Sequence, residues 1–376
     1  MQDLFIELLQ VSLGARDCLS RVPTYKEWNT LFDESARQAV TGIAFWGVQK
    51  LQETQRPPQM LLLEWIGVSE QIRQQNLVVD KQTREIWNHL KKDGLAAAIL
   101  KGQGIATLYG ELSPYRQSGD IDIWVKGGYQ KVCDYVQQTH PTEDVAYHRF
   151  HYDYFDDTEV ELHHRPTLMR NLLDDRKLAK WYNSFETDSF VYLEDKGFAV
   201  PSLEFNRIFI LTHIYRHFLF EGIGLRQIID YYFVLKNCPA ETTDSIEIGK
   251  TLKSFRMLRF AEAMMWILHT QLGLEEKYLI CGMNEKEGRF VLNEIAQTGN
   301  FGYTDSRYAY QHFFKLRRQI AHSTHLLLHY PSEVIWTPIW LVYHKVWKWR
   351  KKREIRKRER GDGYLFRNNR SWLKYW

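Results

Sequence analysis

The chain is 376 residues long, with 44% hydrophobic and 26% charged residues, which supplies a large core and excludes a mainly disordered polypeptide. At roughly 150 residues per domain, this length suits two or three domains, or one domain with a large appendage. Four scattered cysteines, Cys18, Cys133, Cys238 and Cys281, form no CxxC pair, which excludes a zinc ribbon or thioredoxin motif and points to a reducing, cytoplasmic setting.

The first residues carry acids and no basic stretch, so no signal peptide is expected. Leu4, Leu8, Leu9 and Leu13 share one helix face. Thr24 with Trp28, and Ala39-Val40 with Ile43-Ala44, predict two more helices. Arg56-Pro57-Pro58 is a break, and Met60 to Lys92 is again helical, as one helix kinked at Gly67 or as two. Residues 1–92 are therefore expected to be a helical region.

From Ala96 the character changes. Ala96 to Leu100 reads as a buried strand, Ile105 to Tyr109 as a short helix, and Asp120 to Val125 as an alternating strand ended by Gly127-Gly128. Gln130 to Thr139 is an amphipathic helix. Ala146 to Phe155 and Glu159 to His164 alternate around an Asp156-Asp157-Thr158 turn. Leu168 to Val191 gives a mixed signal. Ser202 then caps a helix that starts at Leu203, and the pattern stays helical to about His344. Thirteen Trp, 21 Tyr and 20 Phe are read chiefly as filling for this helical core. The expected fold is α+β: a small mixed sheet over 93–195, between N-terminal helices and a helical domain over 196–344.

The chemistry concentrates between Lys101 and Val125. Period-two alternation puts Asp120 and Asp122 on one side of a strand, with Ile121, Ile123 and Val125 on the other. Two adjacent carboxylates repel unless a cation lies between them, and hard divalent ions such as magnesium take such oxygens together with substrate phosphates. Glu159 and Glu161 share a face of a later strand, and either could supply a third carboxylate. Gly119 permits close approach of a ligand to the backbone.

The string LKGQGIATLYGELSPYRQSGDIDIWV resembles the bacterial uncharacterised nucleotidyltransferase family within the DNA polymerase β-like superfamily. The similar features are Lys101-Gly102, Tyr109, Pro114, Arg116, Gly119-Asp120-Ile121-Asp122 and Glu161-Leu162-His163. His213, His217-Phe218, Gly224-Leu225-Arg226 and Asp230 extend it, so the resemblance covers about residues 30 to 240. It implies that Asp120 and Asp122 bind magnesium at a two-metal site and that Glu161 is the third carboxylate. It also implies transfer of a nucleoside monophosphate from NTP to a hydroxyl-bearing acceptor, with pyrophosphate leaving. Gly102-Gln103 stands where the superfamily has Gly-Ser, so Lys101 and Arg116 become the expected phosphate clamp. A Glu replaces the usual third Asp. The missing serine keeps a second reading open, a non-catalytic nucleotide-binding or scaffolding protein.

His213 and His217 are i, i+4 on a helix, but Ile214-Tyr215-Arg216 between them lacks the Glu of a zinc-protease motif, so packing or a site-lining role is expected. Arg226 and Asp230, also i, i+4, predict a structural salt bridge, with phosphate contact by Arg226 as the second reading. The helical domain would supply base and acceptor contacts. Residues 345–376 hold 13 Lys or Arg against 3 Asp or Glu, behind an aromatic stretch from Val334 to Tyr343. This tail reads as a solvated helix, a peripheral anionic-membrane contact or an RNA contact.

Overall fold

The computed structural model describes residues 3–185, 189–238, 245–302, 307, 321 and 323–361, with side chains to 356 in the last segment. It is an α+β protein. Three helices lead, α1 (Asp3–Leu13), α2 (Tyr25–Arg37) and α3 (Thr41–Lys50). Thr24 closes a capping box on α2: its hydroxyl accepts from the Glu27 amide, and the Glu27 carboxylate accepts from the Thr24 amide. The long apolar pattern forms one helix, α4 (Gln59–Lys92), which passes through Gly67 without a break. At about 1.5 Å per residue it is a spine roughly 50 Å long.

A four-stranded sheet follows, made of β1 (Ala97–Ile99), β2 (Ile121–Val125), β3 (Arg149–His151) and β4 (Val160–His163). Their spatial order is β1-β2-β4-β3. The central pair β2/β4 is parallel and both outer pairs are antiparallel. Between β1 and β2 lie the short α5 (Gln103–Ala106) and a 3₁₀ stretch over Thr107–Tyr115; α6 (Gly128–Thr139) follows β2. The stretch from 168 to 191, unresolved in the sequence pattern, contains α7 (Leu172–Asn183) and the start of β5 (Phe190–Leu193), which pairs with β6 (Phe198–Pro201). The predicted Ser202 cap is present, its hydroxyl accepting from the Phe205 amide at 3.3 Å, and opens α8 (Leu203–Phe220). Then come α9 (Leu225–Lys236), α10 (Ser245–Ser254), α11 (Leu258–Trp266), α12 (Glu285–Thr298) and α13 (Pro331–Gly361).

The sheet separates two hydrophobic clusters. Ile121, Ile123, Val125, Val160 and Leu162 pack on one face with Val79, Ile86 and Leu90 of α4 and Val132 and Val136 of α6. This is the apolar side that the alternation of β2 predicts. On the opposite face Trp124 stacks on Phe205 of α8, with ring centroids 4.9 Å apart. That second cluster runs from α1 through α8 and α9 to α11 and α12. The polar residues of β2 and β4 therefore point at α8, and a cavity lies between them.

Candidate active site

The parallel register of β2 and β4 sets Asp122 opposite Glu161 and Trp124 opposite His163. Residues two apart share a face, so Asp122, Glu161 and His163 all project toward α8. The three offer ligand atoms within 4.8 Å of one another, and all are buried. His163 Nε2 lies 2.9 Å from Asp122 Oδ1 and 3.2 Å from Glu161 Oε2. Lys101 Nζ reaches the same Asp122 oxygen at 3.0 Å, and Arg149 of β3 pairs with Glu161. Asp120 sits at the exposed rim, one residue before β2 begins. Glu159 is also on the cavity wall, but its carboxylate turns to His151 Nδ1 at 3.2 Å. Of the two candidate glutamates, Glu161 is the one in the buried cluster.

Burial and charge compete throughout this cluster. Burial alone would raise the Asp122 carboxyl, but Lys101 and His163 overcome it and hold the group well below the usual range. Burial disfavours charge on Lys101, yet Asp122, Asp120 and Glu161 keep its ammonium above its ordinary value. His163 is raised in the same manner, against burial, by Asp122 and Glu161. Glu161 goes the other way. Burial, reinforced by Asp122, lifts its carboxyl despite His163 and Arg149.

The cavity has a volume of about 470 Å³, and its wall includes Lys101, Gly102, Arg116, Gly119, Asp120, Asp122, Glu161, His213, His217 and Arg226, whereas Tyr109, Pro114, Phe218 and Gly224 stand outside it. Lys101 and Gly102 form the turn after β1. Gly102 has φ +57°, and an added Cβ would stand 3.4 Å from the Asp120 carbonyl, so this turn suits glycine. Gly119 and Asp120 come from the loop before β2. Asn76 of α4 ties that loop down, donating to the Pro114 and Arg116 carbonyls at 2.7 and 2.8 Å.

Arg116 differs from its expected part. Its Nε and Nη2 donate to the two carboxylate oxygens of Asp230 at 2.7 and 2.8 Å, and the Tyr109 hydroxyl donates to the same carboxylate at 2.6 Å. The side chain is 5% exposed. The expected Arg226–Asp230 salt bridge gives way to this longer-range pair. Arg226 instead donates from Nη1 to the Gln117 carbonyl at 3.2 Å, while its buried Nε has no hydrogen-bond partner.

Helix α8 supplies the facing wall. The rings of His213 and His217 lie one turn apart with centroids 4.4 Å from each other, tilted by 57°, and His217 Nδ1 meets Glu221 at 2.7 Å. Burial, with Lys101, His217 and Arg216 adding to it, keeps His213 neutral, far below its usual pKa. Burial also lowers His217 despite Glu221. Arg216 lies between them in sequence and also lines the cavity, 3.5 Å from His148 Nε2. Sequence reasoning passed over Arg216, Arg149 and His148. Arg216 is three residues after His213, hence on the same helix face, and that spacing was a usable signal. Arg149 carried none, because only the β3/β4 register brings it to Glu161.

The donor set suits a hard divalent cation: two buried carboxylates and an imidazole nitrogen converge, and Asp120 adds a carboxylate at the rim. Among the described residues no other such group of three ligands occurs. The profile of the uncharacterised nucleotidyltransferase family matches residues 24–273, two thirds of the chain, so the chain belongs to that family. Comparison with curated proteins and with solved structures returned no match.

Proposed function

We propose that this member of a nucleotidyltransferase family transfers a nucleoside monophosphate from an NTP to a hydroxyl-bearing acceptor in the cavity between β2/β4 and α8. The observation that carries the reading is the in-register pair Asp122 and Glu161, whose carboxylates meet inside a cavity otherwise rich in cations. Asp120, Asp122 and Glu161 would hold magnesium, which when bound neutralises phosphate charge and lowers the pKa of an attacking hydroxyl.

The chain's own groups divide the remaining work. Lys101 and Arg226 are the cations placed to meet phosphate oxygens, with the Arg226 Nε still to be satisfied. Arg116 acts at one remove, by fixing the loop that presents Gly119 and Asp120. Glu161, as the third carboxylate in the buried cluster, would complete the site and help activate the acceptor hydroxyl. Neutral His213 and His217 offer ring nitrogens and faces to the base or acceptor without adding charge.

A second reading, nucleotide binding or scaffolding without turnover, is favoured by one observation. Asp122 and Glu161 already have Lys101, His163 and Arg149 as counter-charges. Thermal shift against each NTP, with and without magnesium, tests the site, because a ligand of the folded state raises apparent stability. A magnesium-dependent shift that disappears in Asp120→Asn/Asp122→Asn is expected. An unchanged shift in that double variant removes the metal assignment, and a shift without any pyrophosphate release selects the scaffold.

A further inference from the structure

Helix α13 is docked along one side only. Val334, Thr337, Trp340 and Ile355 are buried, Trp347 stands edge-on to Tyr129 and Tyr147, and Lys351 lies over the Tyr129 ring at 4.5 Å. The other side carries Ile335, Ile339, Val342, Val346 and Trp349, all exposed by 51% or more. Their spacing is four, three, four, three, which lines them up as one stripe on a helix. Tyr343 borders the stripe at 40% exposure. Directly beyond Trp349 the same side turns basic with exposed Arg350 and Arg353, and exposed Lys345 flanks it. From Val334 to Arg353 there is no Asp or Glu.

We infer that this outward face of α13 is a docking surface for anionic lipid, on which the helix lies in the membrane plane. The occupant must be apolar against the stripe and negative against its basic end. A second copy of the chain would offer the same stripe, but would bring more cations and no acid from this segment. RNA would answer the cations, but Ile335, Ile339, Val342 and Val346 have no ring to stack on bases. A bilayer surface satisfies both ends: aliphatic side chains enter the acyl boundary, Tyr343 and Trp349 suit the headgroup level, and the basic residues meet lipid phosphates. Among the described residues no helix is long and apolar enough to cross a membrane, in keeping with an in-plane contact. The inference stands independently of the nucleotidyl-transfer reading.

Vesicle flotation of the full chain tests it. The protein is expected to float with phosphatidylcholine vesicles containing phosphatidylglycerol, to stay behind with pure phosphatidylcholine, and to be released as salt rises. Ile339→Asp/Val342→Asp and, separately, Arg350→Glu/Arg353→Glu should each lower anionic-vesicle binding by at least about ten-fold. These side chains are exposed, so the melting temperature should not move. If the apolar variant does melt early, the charge variant and the salt series still decide. Absence of flotation with anionic vesicles overturns the inference. So does vesicle binding that ignores both variants, a dimer in light scattering that Ile339→Asp dissolves, or binding of single-stranded RNA in place of vesicles.

Discussion

Asp122 and Asp230 are both buried carboxylates beside one cavity, each with a cation in contact, yet their surroundings differ. Asp230 is held by three donors, two from one Arg116 guanidinium and one from Tyr109. That arrangement fixes both partners in one two-point geometry. Asp122 instead shares a single oxygen between Lys101 and His163, which are also drawn toward Glu161 and Asp120. Such single-point, shared contacts can be exchanged for a ligand without dismantling the wall. The first cluster is built to stay and the second to be rearranged.

The comparison breaks first at turnover. Asp122→Asn should lower magnesium-dependent pyrophosphate release on the order of 10³-fold, since a lost metal contact removes several kcal/mol of charge stabilisation at about 1.4 kcal/mol per decade. Its melting temperature should fall less than that of an Asp230 variant, because Lys101 and His163 keep Glu161 as a counter-charge. Near-parental turnover would remove Asp122 from the reaction. Asp230→Ala should do the reverse damage, losing about 3–5 kcal/mol of stability in urea denaturation because Arg116 is left as an uncompensated buried charge. A fully stable Asp230→Ala protein would show that the pair is no anchor.

The two clusters were not equally legible in the sequence. Asp122 stood out because strand alternation is local: Ile121 and Ile123 announce a buried face, and Asp122 must then take the other. The Arg116–Asp230 pair spans 114 residues, and the nearer i, i+4 partner Arg226 drew Asp230 to itself on paper. Helix α7 was hidden for a related reason. Its first turn holds Asp174 and Asp175, both buried. Asp175 binds Arg165 and the Met169 amide, while Asp174 meets Asn171 and Lys177. Acids used as internal ligands break the apolar period by which a helix is recognised. The cap at Ser202, by contrast, is decided within four residues and reads correctly.

Glu333 adds a buried carboxylate of a third kind, whose hydrogen bonds come from backbone amides. It accepts from Arg170 and Asn171 at 2.8 and 3.2 Å, tying the start of α13 to the approach to α7. Burial, with Asp174 and Asp175 adding to it, outweighs those amides and raises its pKa to about 7. An unfolded Glu titrates near 4.3, so between these values the unfolded state loses its proton first and folding stability falls as pH rises. Stability from this group is full below about pH 4 and lost by about pH 7. Glu333→Gln should remove that slope, gaining on the parent by up to about 3 kcal/mol across the window in paired denaturation curves. A constant difference between the two proteins would show that Glu333 does not titrate there.

The smallest effect isolates burial itself. Arg356 meets Glu143 with the same two-point geometry that Arg116 uses on Asp230, Nε and Nη2 each at 2.7 Å from a carboxylate oxygen. The difference is exposure, 56% and 36% for these side chains against 5% and 9% for the buried pair. Water already solvates both exposed partners, so removing one strands little charge. Glu143→Ala should therefore cost less than about 1 kcal/mol, and added salt should shrink even that. Run beside Asp230→Ala, it holds hydrogen-bond geometry nearly fixed while burial changes. Equal losses in the two variants would mean that geometry sets the strength of these pairs, and the contrast between the cavity's two clusters would then need a cause other than desolvation.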